Sequence, residues 1–322
     1  MTTNAFDYRA ATWNEGNISG LQKRVGILLG LKDFRTRSLS GGFADAGLEL
    51  VSEEVFKQNQ DRSQGSHLDD DQDVRQRFQE VPLERPAGNG GAEDFASLFD
   101  EIAYLKNKIV SSSVLKNGIH LDRYRVESTD AGNAVQLVFR PTESEPWQLL
   151  ASYTPEEKAV AGANRLRRFL IGLNVASEGF HVVEHLLLRP LAQETHQGIT
   201  VPEDFYAFKL SVVFPAWTAR FSDPAFRRIA QETVHQNCPA HVYPEFHWIE
   251  LEKMKEFEKL YKAWLDDKSD KTKSHSAIDT ASKQLISFIL EISTEAPPPS
   301  QVSREDFFRQ DPEHPANPAA HE

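Results

Sequence analysis

Apolar positions along this chain change period several times, and each change marks an element. Leu21, Val25, Leu28 and Leu29 share one helical face, which predicts a short helix over Ile18–Leu31 with Gly30 at its end. Leu48-Glu-Leu-Val51 carries a weak strand signal. Phe95, Leu98, Phe99, Ile102, Leu105 and Ile109 predict one amphipathic helix over Glu93–Val110. Alternation then predicts strands at Gly118–Ser128, Val135–Phe139 and Trp147–Tyr153, with a turn at Asp130–Asn133. A helix follows over Pro155–Leu173, with Ala159, Ala163, Leu166, Phe169 and Leu170 inward.

Ser177 to Leu265 holds the longest apolar runs. Its first piece, His181–Leu188, reads as a strand or a short helix. Tyr206–Phe214 reads as a strand. Asp223–Val234 is a helix capped by Asp223 with Pro224 in its first turn, and Phe226, Ile229 and Val234 are expected inward. Ala240–Ile249 is a strand that Pro244 confines to an edge or a bulge. Helices over Glu250–Trp264 and Ala277–Ile292 complete the pattern.

The fold class that follows is α+β: small antiparallel or mixed sheet units packed with helices. A ββα module precedes a ferredoxin-like βαβα half. In boundaries, 1–57 is an N-terminal helical arm, 58–91 a flexible linker, and 92–175 the amphipathic helix plus the small sheet and helix. Residues 176–267 form an α+β sandwich core, 268–293 a C-terminal helix and 294–322 a disordered acidic tail. The helix at Glu250–Trp264 is expected to pack on the strands holding Val212 and Val242 as a two-layer sandwich.

A formal charge of −12 over 322 residues argues against nucleic-acid binding, which needs clustered Lys and Arg. The single cysteine, Cys238, excludes an internal disulfide and fits folding in a reducing compartment. No apolar run reaches a membrane span, and the N-terminus lacks a signal-peptide pattern.

His181-Val-Val-Glu-His185 matches the H-x-x-E-H pattern of inverted zinc peptidases. On a helix His181 and His185 would share a face with Glu184 as base, and Glu256 or Glu258 could supply a third ligand. On a strand the two histidines are simply buried on one face, and this reading is preferred because the run is β-branched and ends at Arg189-Pro190. His235-x-x-Cys238-x-x-His241, with His247 beyond, has ligand types at short spacing; a helix end and a tight proline turn explain it as well. No Walker loop, G-x-S-x-G or dinucleotide fingerprint occurs, so no catalytic residue and no cofactor is assigned.

Three stretches point to a family when taken together: Trp13–Val25 with Leu28–Leu31, Glu178–Pro190, and Cys238-Pro-Ala-His241. They resemble segments of proteins encoded with phage-tail-like contractile injection systems, similar to the baseplate J protein. Trp147-Gln-Leu-Leu-Ala-Ser152 resembles the core of a small ββα module. The resemblance spans roughly half the chain, and those proteins are usually far longer. It implies a non-enzymatic structural subunit at a baseplate or an attached adaptor, whose partners are other subunits of the particle. It also implies a cytoplasmic protein assembled into a particle able to leave the cell. The residues expected to meet those partners are Trp13, Leu21, Val25, Leu28, Leu29, Phe95, Phe99 and Ile102. On that view, removing residues 1–34 would spare the core and abolish assembly. A zinc-dependent hydrolase and a surface- or sugar-binding adhesin are the rival functions.

Overall fold

The computed structural model describes residues 20–63, 96–128, 135–154, 156–192 and 197–295. Helix α1 (Gly20–Leu28) ends in a Schellman motif: Gly30 takes φ +64°, its N–H reaches Ile27 O, and the Leu31 N–H reaches Gly26 O. A connecting strap, residues 29–40, leads to α2 (Gly41–Asp45), β1 (Glu49–Val51) and α3 (Glu53–Ser63). The expected linker therefore begins as helix through Ser63, and its remainder lies outside the described residues.

The single amphipathic helix expected at Glu93–Val110 is instead α4 (Ala96–Glu101), α5 (Ala103–Lys106) and β2 (Ile109–Ser111). Lys108, at φ 58°, leaves the helical region, and its carbonyl accepts from Glu49 N at 2.9 Å. Parallel pairing of β2 with β1 thus overrides the helical period.

After α6 (Ser112–Asn117), strands β3 (Tyr124–Ser128), β4 (Val135–Phe139) and β5 (Gln148–Tyr153) form an antiparallel meander. Its inner face (Tyr124, Leu137, Phe139, Leu150) packs on α7 (Glu156–Ser177) through Ala159, Ala163, Leu166, Phe169 and Leu170. The turn at Asp130–Asn133 and Pro155 lie outside the described residues.

The second half is a mixed sheet in the order β6 (His181–Glu184), β7 (Lys209–Pro215), β8 (Tyr243–Ile249). β6 runs antiparallel to β7, and β8 runs parallel to it after a crossover through α8 (Ala219–Ser222) and α9 (Pro224–Asn237). Asp223 caps α9 by accepting from Ala225 N, with Pro224 at the first position. Pro244 sits on edge strand β8, where a missing ladder donor costs little.

Helices cover both faces of this sheet, giving three layers rather than two. α10 (Leu251–Ser269) and α11 (His275–Glu295) bury Met254, Phe257, Leu285 and Phe288 with Val183, Val213 and Ile249. Val212 belongs to the opposite face, where Leu210, Phe214 and Phe246 meet Ala230 and Val234 of α9 and Val25, Leu29 and Leu31 of the N-terminal region. On α9 it is Ala230 that turns inward, while Ile229 is 53% exposed. The expected tail begins within α11, and residues 296–322 lie outside the described residues. The fold class is α+β, with small sheets of two and three strands packed with helices.

Candidate functional site

The sequence motif at His181–His185 sits where β6 ends. His181 lies in the strand, while His185 opens a 3-10 turn, His185–Leu188. Both imidazoles are buried, and each is bonded to different partners.

His181 Nε2 lies 3.1 Å from Glu258 Oε1 of α10, and its ring packs against Phe257 and Tyr261. The Glu258 carboxylate is 5% exposed and also accepts from the strap: Ser38 Oγ at 2.8 Å, Leu39 N at 2.5 Å and Ser40 Oγ at 2.5 Å. Burial pulls its pKa up, but hydrogen bonds from His181, Ser40 and Leu39 outweigh this and hold it below the ordinary glutamate value. Arg37 of the same strap donates to Ala176 O and, at 2.8 Å, to Glu178 O at the end of α7. Arg220 joins Leu29 O at 3.0 Å to the Glu178 carboxylate at 2.6 Å. One polar cluster therefore ties the N-terminal strap, α7, β6, α8 and α10 together.

His185 belongs to a second chain of bonds. Its Nδ1 faces Phe205 O at 2.9 Å, so that nitrogen carries the proton and Nε2 accepts. Ser211 Oγ, at 2.8 Å from Nε2, donates to it and accepts in turn from His247 Nε2 at 3.1 Å. Burial lowers the pKa of both imidazoles, His247 to about 4 with help from the neighbouring His185, so both are neutral near pH 7. Ser211 is fully buried on the central strand; its hydroxyl has the histidine neighbours of a nucleophile but no access for a substrate.

The other candidates scatter. Glu184 alternates to the face away from His181 and is exposed, as is Glu256. Cys238 is a half-buried free thiol whose pKa burial raises to about 11, and exposed His241 meets the edge of Phe208. Among the described residues no group of His, Cys, Asp and Glu converges as a metal site, and no helix is long and apolar enough to cross a membrane.

The expected interaction residues are largely spent inside the chain, which corrects the picture of an arm held out to a neighbour. Val25, Leu29 and Ile102 are buried. Leu21 packs beside the first two, and Phe99 meets Phe169 edge-on at 5.6 Å. Leu28, expected on the packed face, is 59% exposed because the helix turns Val25 and Leu29 inward. Trp13 and Phe95 lie outside the described residues. The residues that sequence reading did not single out are Ser38 and Ser40, which bond to Glu258, and Ser211, which lies between His185 and His247. A serine within the apolar run Leu210–Phe214 was the one visible signal of a polar pair in the core.

No family model matches the chain, and no curated protein matches it.

Proposed function

We propose that the chain is a structural, non-enzymatic subunit of a phage-tail-like contractile injection particle, at its baseplate or in a baseplate-attached adaptor, and that it works by protein–protein assembly. The reading starts from the resemblance of Glu178–Pro190 and Cys238–His241 to that family. One structural observation carries it: the polar residues of the first segment serve as internal ties. Glu178 holds Arg220, His181 holds Glu258, and His185 holds Ser211. Residues used this way fix the relative positions of helices and sheet, as a load-transmitting subunit requires, and both His181 and His185 are taken up by internal bonds rather than aimed at a substrate.

The rival zinc hydrolase needs His181 and His185 to converge on one ion, and their hydrogen bonds lead to separate partners instead. The test is to tag the chain in its native cells and sediment sheath particles. The chain is expected to travel with the particles, and its deletion to leave incomplete ones. Intact particles without it, or stoichiometric zinc lost on His185→Ala, would overturn the reading.

A further inference from the structure

The outer face of the β3–β4–β5 meander, turned away from α7, carries a different chemistry from the rest of this acidic chain. Arg140 N bonds to Arg123 O, which places residues 123 and 140 opposite each other, and Arg125 pairs with Val138. Arg123, Arg125 and Arg140 thus share this face. Trp147, immediately before β5, lies under two of the guanidiniums: Arg125 Cζ is 4.5 Å and Arg140 Cζ 4.8 Å from its ring centre. A guanidinium stacked on an indole keeps its in-plane N–H fork pointing outward.

These forks are poorly used within the chain. Arg123 approaches Asp122 at 3.6 Å and Glu143 at 4.0 Å, and Arg125 approaches Glu127 at 3.9 Å. Committed pairs elsewhere in the chain are far tighter, such as Arg220–Glu178 at 2.6 Å and Arg165–Glu101 at 2.9 Å. Arg140 Nε is buried without a hydrogen-bond partner, and so is Arg123 Nε. Val138 beneath them is fully buried yet belongs to neither apolar core.

We propose that Arg123, Arg125, Arg140 and Trp147 form a docking face for a carboxylate-rich peptide segment of a partner protein. Arg125 on β3 and Arg140 just after β4 stand over one indole, and Arg123, in the turn that leads into β3, faces Arg140, so three guanidiniums line one face on which an extended acidic strand can lie. Planar carboxylates match the guanidinium fork.

Fluorescence anisotropy of a fluorescein-labelled peptide of alternating Glu and Ser, titrated with the full chain, tests this. A Gln-Ser peptide and inorganic triphosphate serve as controls. The acidic peptide is expected to bind and to weaken with added salt. Replacing Arg125 and Arg140 together by Gln should weaken it about tenfold, and replacing both by Lys should restore it only in part. Arg228→Gln, on α9, should change nothing. Absence of binding, equal binding of the Gln-Ser peptide, displacement by triphosphate as readily as by the acidic peptide, or undiminished binding by folded double variants would each overturn the proposal. Purified chain suffices, so the result is independent of whether the particle reading holds.

Discussion

Glu258 is the most sensitive point in the polar cluster. Its Oε1 meets Leu39 N and His181 Nε2, and its Oε2 meets the hydroxyls of Ser38 and Ser40. Glu258→Gln keeps the shape. Its carbonyl can replace Oε1, and the serine hydroxyls can turn to accept from its amide. What is lost is the charge assistance, which separates bonds worth about 1.5–3 kcal/mol from neutral ones worth about 0.5–1.5, so the net cost is about 1–2 kcal/mol. Glu258→Ala removes the acceptor from all of these buried donors and should cost about 3–5 kcal/mol. Circular dichroism melts at pH 7 should show a modest fall in Tm for Gln and a large one for Ala, at about 2 °C per kcal/mol for a chain of this size. The pH dependence has a definite sign. The folded pKa of Glu258 is depressed, so its contribution is present above the unfolded value of about 4.3 and is lost as pH falls through the folded one. The gap between wild type and Glu258→Gln should therefore close in acid. An Ala variant that melts with wild type, or a gap unchanged from neutral to strongly acidic pH, would refute the clamp. A metal-free ligand site predicts the opposite sign at pH 7, because neutralising an unpaired buried carboxylate would stabilise the protein.

Three further outcomes follow from the packing. Deleting residues 1–34 should destabilise the monomer by about 5 kcal/mol or more, since Val25, Leu29 and Leu31 leave the second core; a thermal transition unchanged by the deletion would return these residues to the role of a free arm. Because the folded pKa of His247 is lowered to about 4, the unfolded state takes up a proton first as pH falls. Stability should thus rise by about 3 kcal/mol between pH 4 and 6.5, less steeply in His247→Gln, and urea midpoints giving equal slopes would contradict it. Within α7, Gly172→Ala meets open space and should stabilise by about 1 kcal/mol. Gly162→Ala places Cβ 2.5 Å from the Tyr153 hydroxyl that holds Glu101 and should destabilise instead, and matched melts showing the two variants alike would refute the close contact.

Local pattern was sufficient for elements whose partners lie near in sequence or whose period is long. α7, α10 and α11 bury the residues that helical spacing selects, and Pro244 marks an edge strand as its missing N–H requires. Asp223 and Pro224 start α9 by chemistry contained in two adjacent residues. Periodicity could not reveal that Lys108 breaks a helix, because the cause is a strand at Glu49–Val51 some sixty residues away in sequence. Nor could it show that helices cover both faces of the second sheet. A run such as Leu210–Phe214 is apolar on both sides, and such runs look alike whichever helices cover them. The candidate site divides the same way. The sequence drew attention to His181, His185 and, among two glutamates, Glu258. Only the tertiary structure decided that Glu258 serves a strap from the N-terminal region while His185 serves a serine on the next strand. Hydrogen-bond partners of buried histidines are chosen by three-dimensional proximity, and a motif records ligand-like residue types without recording what they face.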